Sequence, residues 1–320
     1  MHRSFAALSL AAMLAGCAGS AYSPQTNAPA ARSAGFSLSK HTREILYVLV
    51  NAGTNNSYIA LYDAYAKRPR ILGKITQGLA NPGAIWVDSK GNLYAGNDMT
   101  YTSSVVEYAP GTTSPTRTYT QGLDLPFGGT VDPAGTMYVS VVSTPGHAGQ
   151  GALAVFPRGK MKPSYLTDNL HVPHGIAKDA SGNVFVAVIW GDQSSVVEFP
   201  AGSSNSTVLP LNDLNSGAFL EDLKLDANDD IVVADANLNA VRFYPPPYQN
   251  ENQALTKGLS APTGLAYAPD GSLFVGNEYV NVRNGNVVVF PPGATKPART
   301  ITDGITAGVL GVAVGPAPQR

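Results

Sequence analysis

The stretch PHGIAKDASGNVFV, residues 173–186, returns as PTGLAYAPDGSLFV at residues 262–275. Both copies open on a proline and a small or polar pair. Both then run through alternating apolar residues to a turn rich in Asp and Gly, and end in a β-branched and aromatic run. Weaker copies open at Pro82, Pro126, Gly217 and Gly308, so the anchors are spaced 44, 47, 44, 45 and 46 residues apart. Gly91, Gly135, Gly182 and Gly271 mark the turn in four copies. A strand-like run follows each turn, as in Leu93-Tyr94 and Val184-Phe185. A third run, such as Val105 to Tyr108 or Val287 to Phe290, and a weaker fourth close the unit. Short β-rich runs punctuated by Asp-Gly and Pro-Gly turns are strands joined by hairpins.

Four short strands in about 45 residues is the period of a β-propeller blade. Five units are complete. The first, from about residue 43, lacks an opening strand, and the last, around residues 305–316, is nothing but an opening strand. Joined, they make a sixth blade, so the expected fold is an all-β, six-bladed propeller closed by its C-terminal strand. The repeat resembles the NHL-repeat and SMP-30-like group of six-bladed propellers over about residues 43–316. The WD dipeptide is absent, and a double Gly occurs only at Gly128-Gly129.

Composition agrees with a turn-rich globular chain. Of 320 residues, 44% are hydrophobic and 13% charged, with 33 Gly and 24 Pro. The net charge of −1 offers no basic field for nucleic acid. A single Cys excludes an internal disulfide and any zinc site built from several thiolates.

That Cys has its own context. Arg3 and the apolar run Phe5–Ala15 read as a signal segment too short to span a bilayer. It ends in Leu14-Ala15-Gly16-Cys17, which resembles the bacterial lipoprotein box. The resemblance implies cleavage before Cys17, acylation of that residue and a lipid-held envelope protein. Ala18 where inner-membrane lipoproteins carry Asp favours the outer membrane. Expected organisation is therefore a signal peptide over 1–17, a flexible tether over 18–42, the propeller over 43–316 and a tail at 317–320.

The start of each inner strand and the end of each second strand belong to one mouth of the central channel. Second strands end at Asn51, Asn97-Asp98, Asp235 and Asn277-Glu278 on one side of the ring, and in apolar pairs on the other. The rim is thus expected to be acidic and oxygen-rich on one side and apolar on the other, where Trp190 stands. Asn51, Asp98, Glu278, Trp190 and His147, from a Gly-rich loop, are the expected ligand-binding rim. Glu221-Asp222 and His174 enter from opening segments. The SMP-30-like lactonases hold one divalent metal with Glu, Asn and Asp, which by resemblance selects Glu221, Asp235, Asn277 and Asn97 for Ca²⁺ or a similar cation. The family's Glu on the first blade's opening strand has no counterpart, since Gly308 and Val309 stand there. Turn chemistry alone also places Asn and Asp at strand ends. His174, with His171, is the candidate general base, as in an NHL-type lyase. Asp226-x-Asn228-x-Asp230 copies the first calcium-loop spacings but lacks the sixth-place Gly, and reads as a hairpin turn. No G-x-S-x-G elbow, dinucleotide fingerprint or phosphate loop occurs.

Two functions follow. One is a lipid-anchored binding or scaffolding module for an envelope protein or small molecule. The other is a metal-dependent lactonase or esterase, or a lyase. Enzymatic activity stays open at this level.

Overall fold

The structure, a computed structural model, describes residues 42–53, 56–98, 102–144, 149–214, 217–279 and 284–318. These belong to one compact unit, Ala34–Arg320. Cys17 and His147 lie outside the described residues.

Six four-stranded antiparallel sheets follow one another. Blade 2 holds β4 (Pro82–Val87), β5 (Leu93–Asn97), β6 (Ser104–Tyr108) and β7 (Arg117–Tyr119). Blade 3 holds β8 (Gly128–Val131), β9 (Met137–Val141), β10 (Ala152–Phe156) and β11 (Ser164–Leu166). Blade 4 runs β12 (Val172–Lys178), β13 (Val184–Trp190), β14 (Gln193–Phe199) and β15 (Thr207–Val208). Blade 5 runs β16 (Leu220–Leu225), β17 (Ile231–Asp235), β18 (Ala240–Tyr244) and β19 (Gln253–Leu255). Blade 6 runs β20 (Pro262–Tyr267), β21 (Leu273–Asn277), β22 (Asn286–Phe290) and β23 (Arg299–Ile301).

Blade 1 is the composite that the sequence predicts. Its order is β24 (Gly308–Pro316), β1 (Glu44–Asn51), β2 (Tyr58–Asp63) and β3 (Gly73–Ile75). The inner strands β4, β8, β12, β16, β20 and β24 touch in sequence, and β24 returns to β4. The ring is closed, so no sheet edge is exposed at the join.

The core lies between blades rather than within one. Six buried apolar clusters fill the six seams, one each. This explains the blurred alternation in the sequence: strands buried on both faces stay apolar throughout. Some seams are tight enough to require glycine. A Cβ on Gly129 would stand 2.4 Å from the Trp86 ring of the neighbouring blade.

In one blade the repeat is offset. Pro82, Pro262 and Gly308 each open an inner strand and pair with Asn97, Asn277 and Asn51. In blade 5 the residue in that register is Leu220, opposite Asp235, and not Gly217. The added residues lengthen the entry into blade 5.

Candidate binding site at the channel mouth

The inner strands break register at the same height in five blades. The slips fall at Pro82/Ala84, Pro173/Ile176, Leu220/Asp222, Pro262/Gly264 and, against β24, at Leu49/Val50. A bulge bends a strand and re-aims the side chain it carries. Here the bulges carry His174, Glu221 and Thr263 at the mouth.

His174 is buried, and its Nδ1 lies 3.2 Å from Glu221 Oε2. Its ring stacks on Phe127, with centroids 4.8 Å apart, and meets Phe219 edge-on. Glu278 follows in the next blade. Burial pushes its carboxyl up, and the Glu221 charge pushes it the same way against a hydrogen bond from Tyr279. That bond in turn lifts the Tyr279 phenol to about 12. Across the ring, burial and then Asp124 raise Asp98, whose Cβ lies close to Gly83 beside Phe127. The mouth is therefore an arc of carboxylates interleaved with aromatic rings. Among the described residues of the loops on this face, Lys257 is the only Lys or Arg.

Apolar side chains stand out on the same face. The end of β13 and the loops after β17 and β21 expose Trp190, Leu238 and Tyr279 in three consecutive blades. Trp190 is 68% exposed and rests on His171, ring centroids 3.7 Å apart.

Beneath the mouth the channel is pinched. Asp222 accepts hydrogen bonds from the Leu265 N–H at 2.8 Å and from Lys224 Nζ at 2.6 Å. Lys224 borders both a cavity of about 20 Å³ at the mouth end and one of about 300 Å³ at the far end. The upper space is on the scale of one water molecule. Roomier clefts lie at outer seams, about 660 Å³ between blades 5 and 6 and about 690 Å³ beside His171 and Asp168.

Three of the four residues selected as metal ligands are committed elsewhere. Asn97 Nδ2 donates to Gly78 O at 2.8 Å while its Oδ1 accepts the Ala80 N–H at 2.9 Å. Asn277 repeats this on Gly258 O and the Ser260 N–H, and adds a 2.7 Å bond to Asn286 Oδ1. Asp235 is fully buried, accepts the Phe219 and Leu238 N–H groups and lies 3.5 Å from Arg242 Nε. Burial raises its carboxyl nonetheless. Only Glu221 faces the mouth. This donor set does not fit a shared cation, because the amides and Asp235 are spent on holding loops. Among the described residues no three His, Cys, Asp or Glu side chains are placed to hold a metal.

Asn51 likewise turns onto its own loop, accepting from Gly53 N and Ser57 Oγ. Asp226 Oδ1 caps its hairpin through the Asn228 and Asp230 N–H groups. The turn that receives Asn97 and Asn277 carries a signal of its own, Thr-x-Gly-Leu, at Thr76–Leu79 and Thr256–Leu259. Its glycines, Gly78 and Gly258, hold φ values of 80° and 75°, which turn their carbonyls toward the strand end.

No family model matches the sequence. No curated protein matches it either. Solved structures do. A chain in the crystal structure of a nidogen/laminin complex is 16% identical with a TM-score of 0.64, over 85% of this chain and 98% of that one. A protein of unknown function from Bacteroides caccae is 13% identical with a TM-score of 0.61, over 87% and 100%. At such identities the likeness is one of fold: a six-bladed propeller.

Proposed function

We propose that the chain is a lipid-anchored envelope protein that binds a partner protein on its channel mouth. The observation that carries this reading is the shape of the mouth. Small-molecule and catalytic sites commonly enclose about 300–1,000 Å³. Here the space below the rim is about 20 Å³, and the distinctive chemistry lies on the rim itself. Such a surface suits a ligand that rests on it. Carboxylates of Asp98, Glu221 and Glu278 beside exposed Trp190 and Tyr279 match a segment carrying Lys or Arg next to apolar side chains. One of the solved structures with this fold is of a complex between two proteins. The envelope address rests on the signal-like start and the Leu14–Cys17 box.

The lactonase and lyase readings draw on the family resemblance and on His174 beside Glu221. They lack a donor set for the metal, and His174 is enclosed by rings rather than open to a substrate.

A melting-temperature screen tests the proposal. Basic peptides containing Trp or Leu are expected to stabilise the protein, acidic peptides of the same length are not, and the gain disappears in Glu221→Gln/Glu278→Gln. Equal stabilisation by acidic peptides, or an undiminished gain in the double variant, would overturn it.

A further inference from the structure

The face opposite the mouth carries charge that the fold does not use. It is built from the turns between inner and second strands and the loops between third and fourth strands. The chain enters the ring there, since Arg43 leads into β1, a second strand running toward the mouth. In blade 1 the β2–β3 loop exposes Lys67, Arg68 and Arg70 behind Tyr65. In blade 3 the β10–β11 loop exposes Arg158, Lys160 and Lys162 around Met161. Arg43 and, in the blade 2 turn, Lys90 are exposed between them.

Among the described residues none of these eight cations is in an ion pair. Three of the nearby carboxylates are already engaged. Asp63 accepts from Thr42 Oγ1 and the Tyr65 N–H, Asp88 from the Lys90 and Asn92 N–H groups, and Asp132 is paired with Lys178 at 2.7 Å. Blades 4 to 6 are different at this end. Their third-to-fourth loops hold Lys296 alone among Lys and Arg, and their turns hold Asp179, Asp226, Asp229, Asp230 and Asp270. The positive charge is therefore concentrated in three consecutive blades.

Two large apolar side chains break this half of the surface, Tyr65 at 37% exposure and Met161 at 39%, each within two residues of Lys. Apolar tips set among Lys and Arg suit a headgroup layer. The cations meet lipid phosphates, and the Tyr and Met side chains reach the acyl boundary. The 41 residues outside the described ring also join it at Thr42, on this same face.

The geometry points to an anionic lipid surface as the occupant of this face, contacted by the loops of blades 1 and 3. The ring then stands with its acidic mouth turned away from the membrane and toward the envelope partner. The inference rests on the envelope address proposed above, but not on acylation, so the two fail separately. The mass of the Cys17 peptide reports acylation, and vesicle binding by protein without a lipid reports the surface.

The experiment uses the chain from Ala18 onward, which contains every strand of the closed ring. It is sedimented with vesicles of phosphatidylglycerol and phosphatidylcholine in equal parts, or of phosphatidylcholine alone. The protein is expected on the anionic vesicles, with binding that falls as salt rises. Lys67→Glu/Arg68→Glu/Arg70→Glu and Arg158→Glu/Lys160→Glu/Lys162→Glu are each expected to lower the partition coefficient more than about tenfold. Lys257→Glu, on the mouth face, is expected to leave it unchanged. No binding at low salt, equal binding to neutral vesicles, or full binding by both triple variants would overturn the proposal. So would an equal loss in Lys257→Glu.

Discussion

Replacing Asn277 by Ala separates a strand cap from a metal ligand. The side chain is fully buried and makes three bonds, to Gly258 O, the Ser260 N–H and Asn286 Oδ1. Truncation strands all three partners. Asn286 is buried and bears its full desolvation cost, about 1–3 kcal/mol, whereas the turn groups near the surface regain water and cost about 0.5–1 kcal/mol each. The total is roughly 2–5 kcal/mol, or a fall in Tm of roughly 4–10 °C at about 2 °C per kcal/mol for a domain of this size. Asn97→Ala removes the same turn bonds, but its cross-strand partner Ser104 is only half-buried, so its loss is expected to be smaller. Asn277→Asp keeps the acceptor and sets a charged oxygen against Gly258 O and Asn286 Oδ1. Its carboxyl is thereby raised, so stability is retained at low pH and lost as pH rises through the raised value. Thermal unfolding without and with added Ca²⁺ reads all of this. A Tm within about 1 °C of wild type in Asn277→Ala would refute the cap, as that is well below the shift of about 4 °C expected at the least from losing all three bonds. So would a Ca²⁺-dependent gain in wild type that the variant lacks.

Three further outcomes follow from the same geometry. Arg242→Met leaves buried Asp235 without its nearest cation and is expected to cost about 3–5 kcal/mol in urea unfolding. Adding Asp235→Asn restores the residue type of blades 2 and 6 and is expected to recover much of the loss; an additive or worse double variant contradicts this. Glu278 has its carboxyl raised by burial and by Glu221, so its folded pKa lies above the unfolded one. Its contribution to stability is present at low pH and lost as pH rises through the raised value. Glu278→Gln is therefore expected to raise Tm at neutral pH and flatten its decline, and an unchanged pH profile argues against the buried acidic rim. Deleting residues 304–320 removes β24 and opens blade 1, so no cooperative unfolding transition is expected by circular dichroism.

The ring was legible because a blade is a local object. Its turns and runs repeat in order, and the unmatched ends at Ile45 and Gly308 add up to one sheet. Blade 5 misled at one point: Gly217 looks like an anchor by spacing, but Leu220 holds the register opposite Asp235. The rim was legible only as residue types. Spacing places Asn97, Asp235, Asn277 and Glu221 near one another, but the direction of each side chain depends on partners far along the chain. Asn277 turns to Gly258 because a left-handed glycine presents a carbonyl there. Glu221 turns to His174 because two bulges face one another across a seam. Bulges leave little trace in an apolar pattern, and neither does the Lys224–Asp222 contact that narrows the channel.

The mouth has a built-in reporter. The chain holds two tryptophans, Trp190 exposed on the mouth face and Trp86 buried between blades. Fluorine NMR of protein labelled with 5-fluorotryptophan, titrated with a basic Trp-free peptide containing Leu, reads them apart. The account predicts a saturable shift of the Trp190 resonance, none at Trp86, and loss of the shift in Glu221→Gln/Glu278→Gln. A still Trp190 resonance, or the same shift with an acidic peptide, would contradict it.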